Sequence, residues 1–205
     1  MYEIELKAHV TDRTAVIAAL NGFATYNGSV EKQDTYWHLP RPAAETPDTD
    51  ISPENQTCIS VRIRREIFKQ TDSTDILLTY KRKELRTSDN GISTEVNDEK
   101  ECTLSDASPL EALLADSGFS IAHTKQKFVE SWNTGTPYGK ALFELCTVPP
   151  LGDFLEIEIM YKSNDETQIT PVRAELQRLL LQCRIHLSAV EPRYYTDMIT
   201  AAGKK

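Results

Sequence analysis

The stretch Glu3-Ile4-Glu5-Leu6-Lys7 alternates charged and apolar side chains. Because successive side chains of a β-strand point to opposite faces, a strand here puts the three charged groups on one face and the two apolar groups on the other. Two carboxylates two residues apart can share a hard divalent cation, and a neighbouring lysine can hold an anion bound to that cation. Taken alone, such a short pattern more often marks a strand whose polar face lies in water. Its meaning therefore depends on the rest of the chain.

The composition describes an ordinary globular protein. The 205 residues, 40% hydrophobic and 26% charged, fit one domain with a good core. No apolar run is long enough to span a bilayer, and the first residues form a charged strand rather than a signal peptide. The net charge of −8 argues against broad binding to nucleic acid or to anionic membranes. We therefore expect a cytoplasmic monomer or homodimer with neither kind of partner.

Cysteine and histidine spacing gives no sign of a zinc site or of a Cys–His catalytic pair. The four cysteines are far apart and form no CxxC motif: Cys58, Cys102, Cys146 and Cys183. The four histidines are equally scattered. Without a secretion signal we expect free thiols, and any metal is expected to be held by oxygen ligands.

Alternation and turn residues predict eight strands, at about residues 2–9, 30–38, 58–68, 75–83, 92–104, 120–132, 140–148 and 154–161. Apolar stripes predict helices at about residues 12–23, 170–183 and 195–202, and one that is capped by Asp106 or Ser108, has Pro109 near its first turn and ends at Gly118. We expect Thr11 to cap the first helix, Asn27-Gly28 to form a turn, and Thr170-Pro171 to open the third helix. Short connections between the later strands favour antiparallel neighbours.

Residues 40–57 differ from the rest of the chain. They contain four prolines and several acids but almost no large apolar residue, which is typical of a mobile loop. The loop is either a lid over a site or an insertion without a local role. Since no linker or repeat divides the chain, we predict one domain over residues 1–205. Its expected class is α+β, mainly antiparallel β, with eight strands closed into a barrel.

Same-face charges recur in six of the eight predicted strands, and most of these strands carry charges of one sign. A merely soluble surface would mix signs, because like charges at neighbouring positions repel. If amphipathic helices cover the apolar face of the barrel from outside, the charged faces line its lumen. The predicted lining is Glu3, Glu5, Glu99, Glu101, Glu156 and Glu158, with Lys7, Arg62, Arg64, Lys81, Lys83, Lys125 and Lys127. A polyphosphate bound with Mg²⁺ or Mn²⁺ would satisfy both signs, with bases on phosphate oxygens and carboxylates on the metal.

Eight short motifs follow one another along nearly the whole chain. They are Glu3-Ile4-Glu5-Leu6-Lys7, Gln33-Asp34-Thr35-Tyr36, Val61-Arg62-Ile63-Arg64, Leu78-Thr79-Tyr80-Lys81, Glu99-Lys100-Glu101, Lys125-Gln126-Lys127, Leu151 through Glu158, and Arg193-Tyr194-Tyr195. In this order and spacing they resemble the CYTH superfamily of triphosphate tunnel metalloenzymes. That superfamily includes class IV (CyaB-type) adenylyl cyclases, thiamine triphosphatases and inorganic triphosphatases.

The resemblance implies an eight-stranded antiparallel tunnel and a role for each charged row. The bases implied to bind the triphosphate are Lys7, Arg62, Arg64, Lys81, Lys125 and Lys127, to which the predicted lining adds Lys83. The acids assigned to Mg²⁺ or Mn²⁺ are Glu3, Glu5, Glu99, Glu101, Glu156 and Glu158. We assign catalytic roles to Lys7, Glu5 and Glu158. The chain departs from the family at Cys146, where many relatives have Asp, although Glu144 shares its strand parity.

The favoured reaction is that of a CyaB-like adenylyl cyclase, which converts ATP to cyclic AMP and pyrophosphate. One alternative is an inorganic, thiamine or nucleoside triphosphatase that releases orthophosphate. The other is a polyphosphate- or nucleotide-binding module without catalysis. Length, the 40–57 insertion and the Gln33–Tyr36 strand favour the cyclase. The expected ligands are therefore ATP, tripolyphosphate or thiamine triphosphate.

Overall fold

The computed structural model describes residues 1–39, 58–88 and 90–203. In these ranges the strands are β1 (Tyr2–His9), β2 (Thr25–His38), β3 (Cys58–Phe68), β4 (Ser73–Thr87), β5 (Ser93–Leu104), β6 (Ser120–Thr136), β7 (Gly139–Val148) and β8 (Gly152–Tyr161). The helices are α1 (Arg13–Asn21), α2 (Ser108–Asp116), α3 (Glu166–Gln182) and α4 (Tyr195–Ala202), with a 3₁₀ turn at Leu187–Ala189. No helix in the described ranges is long and apolar enough to cross a membrane.

The eight strands close into a barrel in the order β1-β5-β4-β3-β2-β6-β7-β8. Every neighbouring pair is antiparallel. β1 completes the closure, because Glu5 lies opposite Glu95 of β5 on one side and opposite Glu158 of β8 on the other. The predicted fold class is confirmed: an α+β protein built on a closed antiparallel barrel.

The main hydrophobic core lies outside the barrel. Ile4 and Leu6 of β1 are buried in it, together with Ile157 of β8. Helix α3 covers this face and contributes Leu176 and Leu180, both fully buried. A second cluster, on the outer face of β3 and β4, lies under α2. Helices α2 and α3 therefore cover the outward-facing apolar side chains of these strands. The opposite faces of the same strands turn into the barrel.

At one end of the barrel the inward-facing rows change from charged to apolar. Val129, Cys146 and Phe154 continue the inward faces of β6, β7 and β8, and all three are buried. Tyr195 and Met198 of α4 pack against them. Helix α4 thus covers this end of the lumen.

Three local expectations are wrong. Asp12 rather than Thr11 caps α1, since its carboxylate accepts a hydrogen bond of 2.9 Å from the Ala15 N–H. Helix α3 begins about a turn before Thr170-Pro171, where the Asp165 carboxylate accepts from the Thr167 N–H at 3.0 Å. Pro171 consequently lies inside the helix.

The third correction concerns Asn27-Gly28, which forms a bulge instead of a turn. β2 runs through it, and its register with β6 shifts between Tyr26 and Gly28. Gly28 has a φ of 114°, a conformation that residues with a Cβ rarely adopt. Pairing with β6 continues on both sides of the bulge, so Asn27-Gly28 stays within the strand although the dipeptide is typical of turns. The predicted loop at residues 40–57 lies outside the described residues, and its role as a lid stays a prediction.

Candidate functional site

The barrel encloses a cavity of about 400 Å³. All the charged side chains predicted for the lumen lie in its wall: Glu3, Glu5, Lys7, Arg62, Arg64, Lys81, Lys83, Glu99, Glu101, Lys125, Lys127, Glu156 and Glu158. The wall also contains polar groups that were not part of the predicted lining, among them Lys32, Tyr36, Glu66, Thr79, Glu95, Glu144, Tyr194 and Tyr195. Their placement is a structural finding, whereas their assignment to metal, phosphate or catalysis stays a prediction.

Three carboxylates come together where β1 meets β8. One oxygen from each of Glu3, Glu5 and Glu158 lies within 4.8 Å of the other two. Burial, followed by the charges of Glu144 and Glu5, raises the pKa of Glu158 to about 7. Burial also raises the pKa of Glu3 well above its ordinary value. We call this group the carboxylate cluster. Burial is the largest cause of both pKa shifts, and the charges of neighbouring carboxylates add to it.

The carboxylate cluster fits a hard divalent cation. Its donors are all carboxylate oxygens, the ligands that Mg²⁺ and Mn²⁺ favour. Lys81 supplies one compensating charge, with its Nζ 2.7 Å from Glu3 and 3.9 Å from Glu5. Among the described residues no basic side chain forms an ion pair with Glu158. A bound cation would therefore relieve the remaining repulsion.

A second group of possible ligands contains Glu144, Cys146 and Glu156, whose ligand atoms also lie within 4.8 Å of one another. Here two lysines are already present. Lys127 Nζ lies 2.8 Å from Glu144 and 2.6 Å from Glu156, and Lys32 Nζ lies 2.5 Å from Glu144. Burial would raise the pKa of Glu156, but Lys127 lowers it to about 2. We call this group the lysine-paired cluster.

The structure thus separates the six acids predicted as metal ligands. Glu3, Glu5 and Glu158 form the carboxylate cluster, and Glu156 pairs with Lys127. The remaining two acids, Glu99 and Glu101, lie on β5 and contact side chains of β4 and β3. Glu99 is 3.1 Å from Lys81, and Glu101 accepts a hydrogen bond of 2.9 Å from the Thr79 hydroxyl. Strand alternation alone could not reveal this division, because it depends on pairing across the sheet.

A buried acid that the sequence left without a role organises the bases. Asp34 accepts two hydrogen bonds from Arg64, at 2.7 and 3.0 Å, and lies 3.2 Å from Lys125 Nζ. Burial would raise the pKa of Asp34, but Arg64 and Lys125 hold it well below its ordinary value. Asp34 lies two residues after Lys32 and two before Tyr36, so strand alternation puts all three side chains on one face of β2. This alternation is the feature of the sequence from which its place in the cavity could have been predicted.

Tyr195 of helix α4 and Tyr194, the residue before it, bring aromatic rings to three lysines of the cavity wall. Lys7 Nζ donates to the Arg193 carbonyl oxygen at 2.5 Å and lies 4.4 Å from the centre of the Tyr195 ring. Lys125 Nζ lies over the same ring at 4.9 Å. Lys83 Nζ lies 4.4 Å from the centre of the Tyr194 ring. These contacts hold three of the predicted phosphate-binding lysines against aromatic faces.

A closed barrel with its core outside and interleaved acids and bases inside defines the class: a β-tunnel built to hold a charged ligand. The chain belongs to the CYTH domain family, whose family model matches residues 1–195. The sequence resemblance is thereby confirmed. A search of curated proteins gives no significant match.

Solved structures with the same fold cover nearly the whole chain at low sequence identity. The PH1819 protein of Pyrococcus horikoshii is 21% identical, with 98% of this chain and 99% of that chain covered and a TM-score of 0.73. A candidate adenylate cyclase of Vibrio parahaemolyticus is 16% identical, with 98% of each chain covered and a TM-score of 0.67. The adenylyl cyclase-like HpAC1 of Hippeastrum, described as having a dominant triphosphatase activity, is 15% identical. It covers 99% of this chain and 96% of its own, with a TM-score of 0.54. At these identities the likeness shows the fold alone.

Proposed function

We propose that the protein is a divalent-metal-dependent enzyme that acts on a triphosphate bound inside the barrel. The observation that carries this proposal is the shared cavity of about 400 Å³, in which the carboxylate cluster faces a wall of bases. Bases of this kind bind phosphate oxygens, and the acids suit Mg²⁺ or Mn²⁺. A charged ligand can replace a partner in the ion pairs of the cavity wall, which a neutral ligand cannot do.

Each group has a distinct task in this proposal. Glu3, Glu5 and Glu158 hold the cation, which supplies polarisation of a phosphate and activation of the nucleophile. The predicted triphosphate-binding residues neutralise the phosphate oxygens: Lys7, Arg62, Arg64, Lys81, Lys83, Lys125 and Lys127. Lys7 is also suited to orient the reacting group, because its contact with the Arg193 carbonyl fixes its ammonium group beside α4. Rate enhancement comes from positioning and charge neutralisation.

The reaction we favour is adenylyl cyclisation. The 3′-oxygen of the ATP ribose forms a bond to the α-phosphorus, the bond from that phosphorus to the pyrophosphate oxygen breaks, and the hydroxyl proton passes to a base. Glu5 and Glu158 serve catalysis in this scheme by holding the cation, which would lower the pKa of the attacking hydroxyl. Tyr194 in the cavity wall supports this choice, because an adenine could stack on its ring by taking the place of Lys83.

Hydrolysis to orthophosphate is the second candidate, and α4 supports it. Tyr195 and Met198 pack on the inward-facing apolar side chains at one end of the barrel. This cover limits the room for an organic group beyond the phosphates. A substrate without one, such as tripolyphosphate, would fill the charged part of the lumen alone. Water would then attack the terminal phosphorus, and pyrophosphate would leave.

Product analysis separates the two reactions. The purified protein is incubated with ATP, tripolyphosphate or thiamine triphosphate, each with Mg²⁺ or Mn²⁺. We expect cyclic AMP and pyrophosphate from ATP, and a loss of about 100-fold or more in Glu158→Gln. The matched control is Glu175→Gln, since Glu175 pairs with Arg178 on α3 and does not line the cavity, so the rate should be unchanged. Orthophosphate without cyclic AMP would contradict cyclisation and support hydrolysis. Binding of these compounds without any turnover would show that the protein is a binding module.

A further inference from the structure

The two ligand clusters of the lumen differ in how their charge is compensated. The carboxylate cluster contains three acids and has one close ammonium group, that of Lys81. The lysine-paired cluster contains two acids and has two close ammonium groups, those of Lys127 and Lys32. The first cluster has two more carboxylates than close ammonium groups and shares Lys81 with Glu99, whereas each carboxylate of the second contacts a lysine, of which Lys32 also lies 3.2 Å from Glu66. A divalent cation gains electrostatic energy at the first and little at the second.

Geometry strengthens this difference. Lys127 Nζ donates to Glu144 at 2.8 Å and to Glu156 at 2.6 Å, so it bridges the two carboxylates as a metal ion would. Lys127 is 3% exposed, which keeps water from competing for these bonds. Displacing it would break two charge-assisted hydrogen bonds and leave a buried ammonium group without its partners.

The third member of the cluster is poorly suited to a hard cation. Cys146 is fully buried, and its thiol lies 3.5 Å from the Glu144 carbonyl oxygen. Burial, followed by the charge of Glu156, raises the pKa of this thiol well above its ordinary value. Thiol sulfur in its protonated form is a weak ligand, and Mg²⁺ and Mn²⁺ favour oxygen.

We propose that Lys127, bridged between Glu144 and Glu156, is a fixed cation in the place where a second divalent ion would bind, so that each chain binds one divalent ion. The single ion rests on the proposed function, which puts it at the carboxylate cluster. The fixed cation does not, because it follows from the lysine-paired cluster alone. Lys127 then presents positive charge to the cavity at every metal concentration.

Mn²⁺ titration of the metal-free full-length protein tests this assignment, with free Mn²⁺ followed by electron paramagnetic resonance. We expect one ion per chain for the wild type and two for Lys127→Met, because the variant frees Glu144 and Glu156 from their shared ammonium group. Lys125→Met is the matched control. It removes the same charge from the same strand, but Lys125 pairs with Asp34, which keeps its two bonds to Arg64. This control should bind one ion.

Two results would overturn the proposal: two ions on the wild type, or no additional ion on Lys127→Met. If the wild type bound none and Lys127→Met bound one, the fixed cation would stand and the metal site of the proposed function would fall. Lys127→Gln is a second variant in case Lys127→Met misfolds, because the glutamine amide keeps an N–H donor between the two carboxylates and removes only the charge. It should gain the same additional ion, with circular dichroism confirming the fold of each variant.

Discussion

Asp34 shows how one side chain sets the state of several others. Its carboxylate is completely shielded from solvent and faces Arg64 and Lys125, two bases predicted to bind phosphate. It thereby fixes both side chains before any ligand arrives, and it lowers the cost of burying two positive charges. Asp34 does not need to touch the ligand to matter for binding.

Replacing Asp34 by Asn should therefore destabilise the fold strongly. The variant leaves two buried cations without their counter-charge, and we expect a loss of about 3–5 kcal/mol in the free energy of unfolding. Urea denaturation measures this loss. Asp98→Asn is the control, because Asp98 also faces two bases, Lys100 at 2.8 Å and Arg82 at 3.7 Å, but lies at the surface. Equal effects of the two substitutions would contradict the role given to Asp34.

Alternation along single strands predicted which charged residues face the lumen, and the structure places all of them there. It could not predict their partners. Lys127 meets Glu144 and Glu156 only because β6, β7 and β8 are neighbours with a particular register. The division into a carboxylate cluster and a lysine-paired cluster is therefore a property of strand pairing, which no single segment encodes.

Among the elements, β2 carries the most informative deviation. Its bulge at Gly28 allows pairing with β6 to continue over the whole strand despite one extra residue. The φ of 114° explains why glycine is needed there, since a Cβ meets nothing within 4 Å and steric crowding is not the constraint. Backbone conformation alone sets the requirement.

Gly28→Ala should accordingly cost about 1–3 kcal/mol of unfolding free energy, through backbone strain. Gly135→Ala in β6 is the matched control, because a Cβ there also meets nothing within 4 Å but φ is not positive. Thermal and urea unfolding of the two variants give the comparison. A Gly135 variant as unstable as the Gly28 variant would show that loss of glycine from these strands, rather than the bulge, is responsible.

The starts of α1 and α3 coincide with side chains that cap a helix, and the proline of α3 does not mark its start. Asp12 and Asp165 each accept a backbone N–H at the start of a helix. Thr170-Pro171 carries a typical opening signal, yet α3 begins at Glu166 and its first turn is held by Asp165. Pro171 has no backbone N–H to donate inside the helix, but the apolar stripe of α3 still packs against β1 and β8, so packing decides where the helix begins.

For the whole molecule, the crowded interior implies a stability that depends on pH when no metal is bound. The pKa of Glu158 is about 7 in the folded state and 4.5 as the ordinary value. The folded state therefore holds more protons than the unfolded state between these pH values. The stability that Glu158 contributes through this difference is fully present below about pH 4.5 and is lost as pH rises through 7.

Glu158→Gln, which imitates the protonated acid, makes this dependence measurable. In metal-free protein we expect the melting temperatures of wild type and variant to be similar at pH 5, and the wild type to be lower at pH 8. Differential scanning calorimetry across this range gives the difference. A difference that stays constant with pH would mean that Glu158 does not titrate between these values.

Closure of the barrel was predictable from the strand count and the inward charges, but the strand order was not. β1 pairs with β5 and β8, which are far from it in sequence, whereas the other ladders mostly join strands that follow one another. Local patterns identify hairpins well. They carry no information on which distant edge a strand will join.

The position of β1 has a consequence for synthesis. A ribosome releases the chain from its N-terminal side, so Glu3 and Glu5 emerge long before Glu158, the third member of their cluster. Until β8 is complete at Tyr161, the nascent sheet has two open edges, and Ile4 and Leu6 lack the cover of α3. A truncated product that ends before β8 would thus carry both carboxylates of β1 and still lack the assembled cluster. β1 is the first strand of the barrel, and its pairing with β8 also closes the barrel. Binding of a divalent ion to the carboxylate cluster, as proposed, would therefore require that β8 has been synthesised.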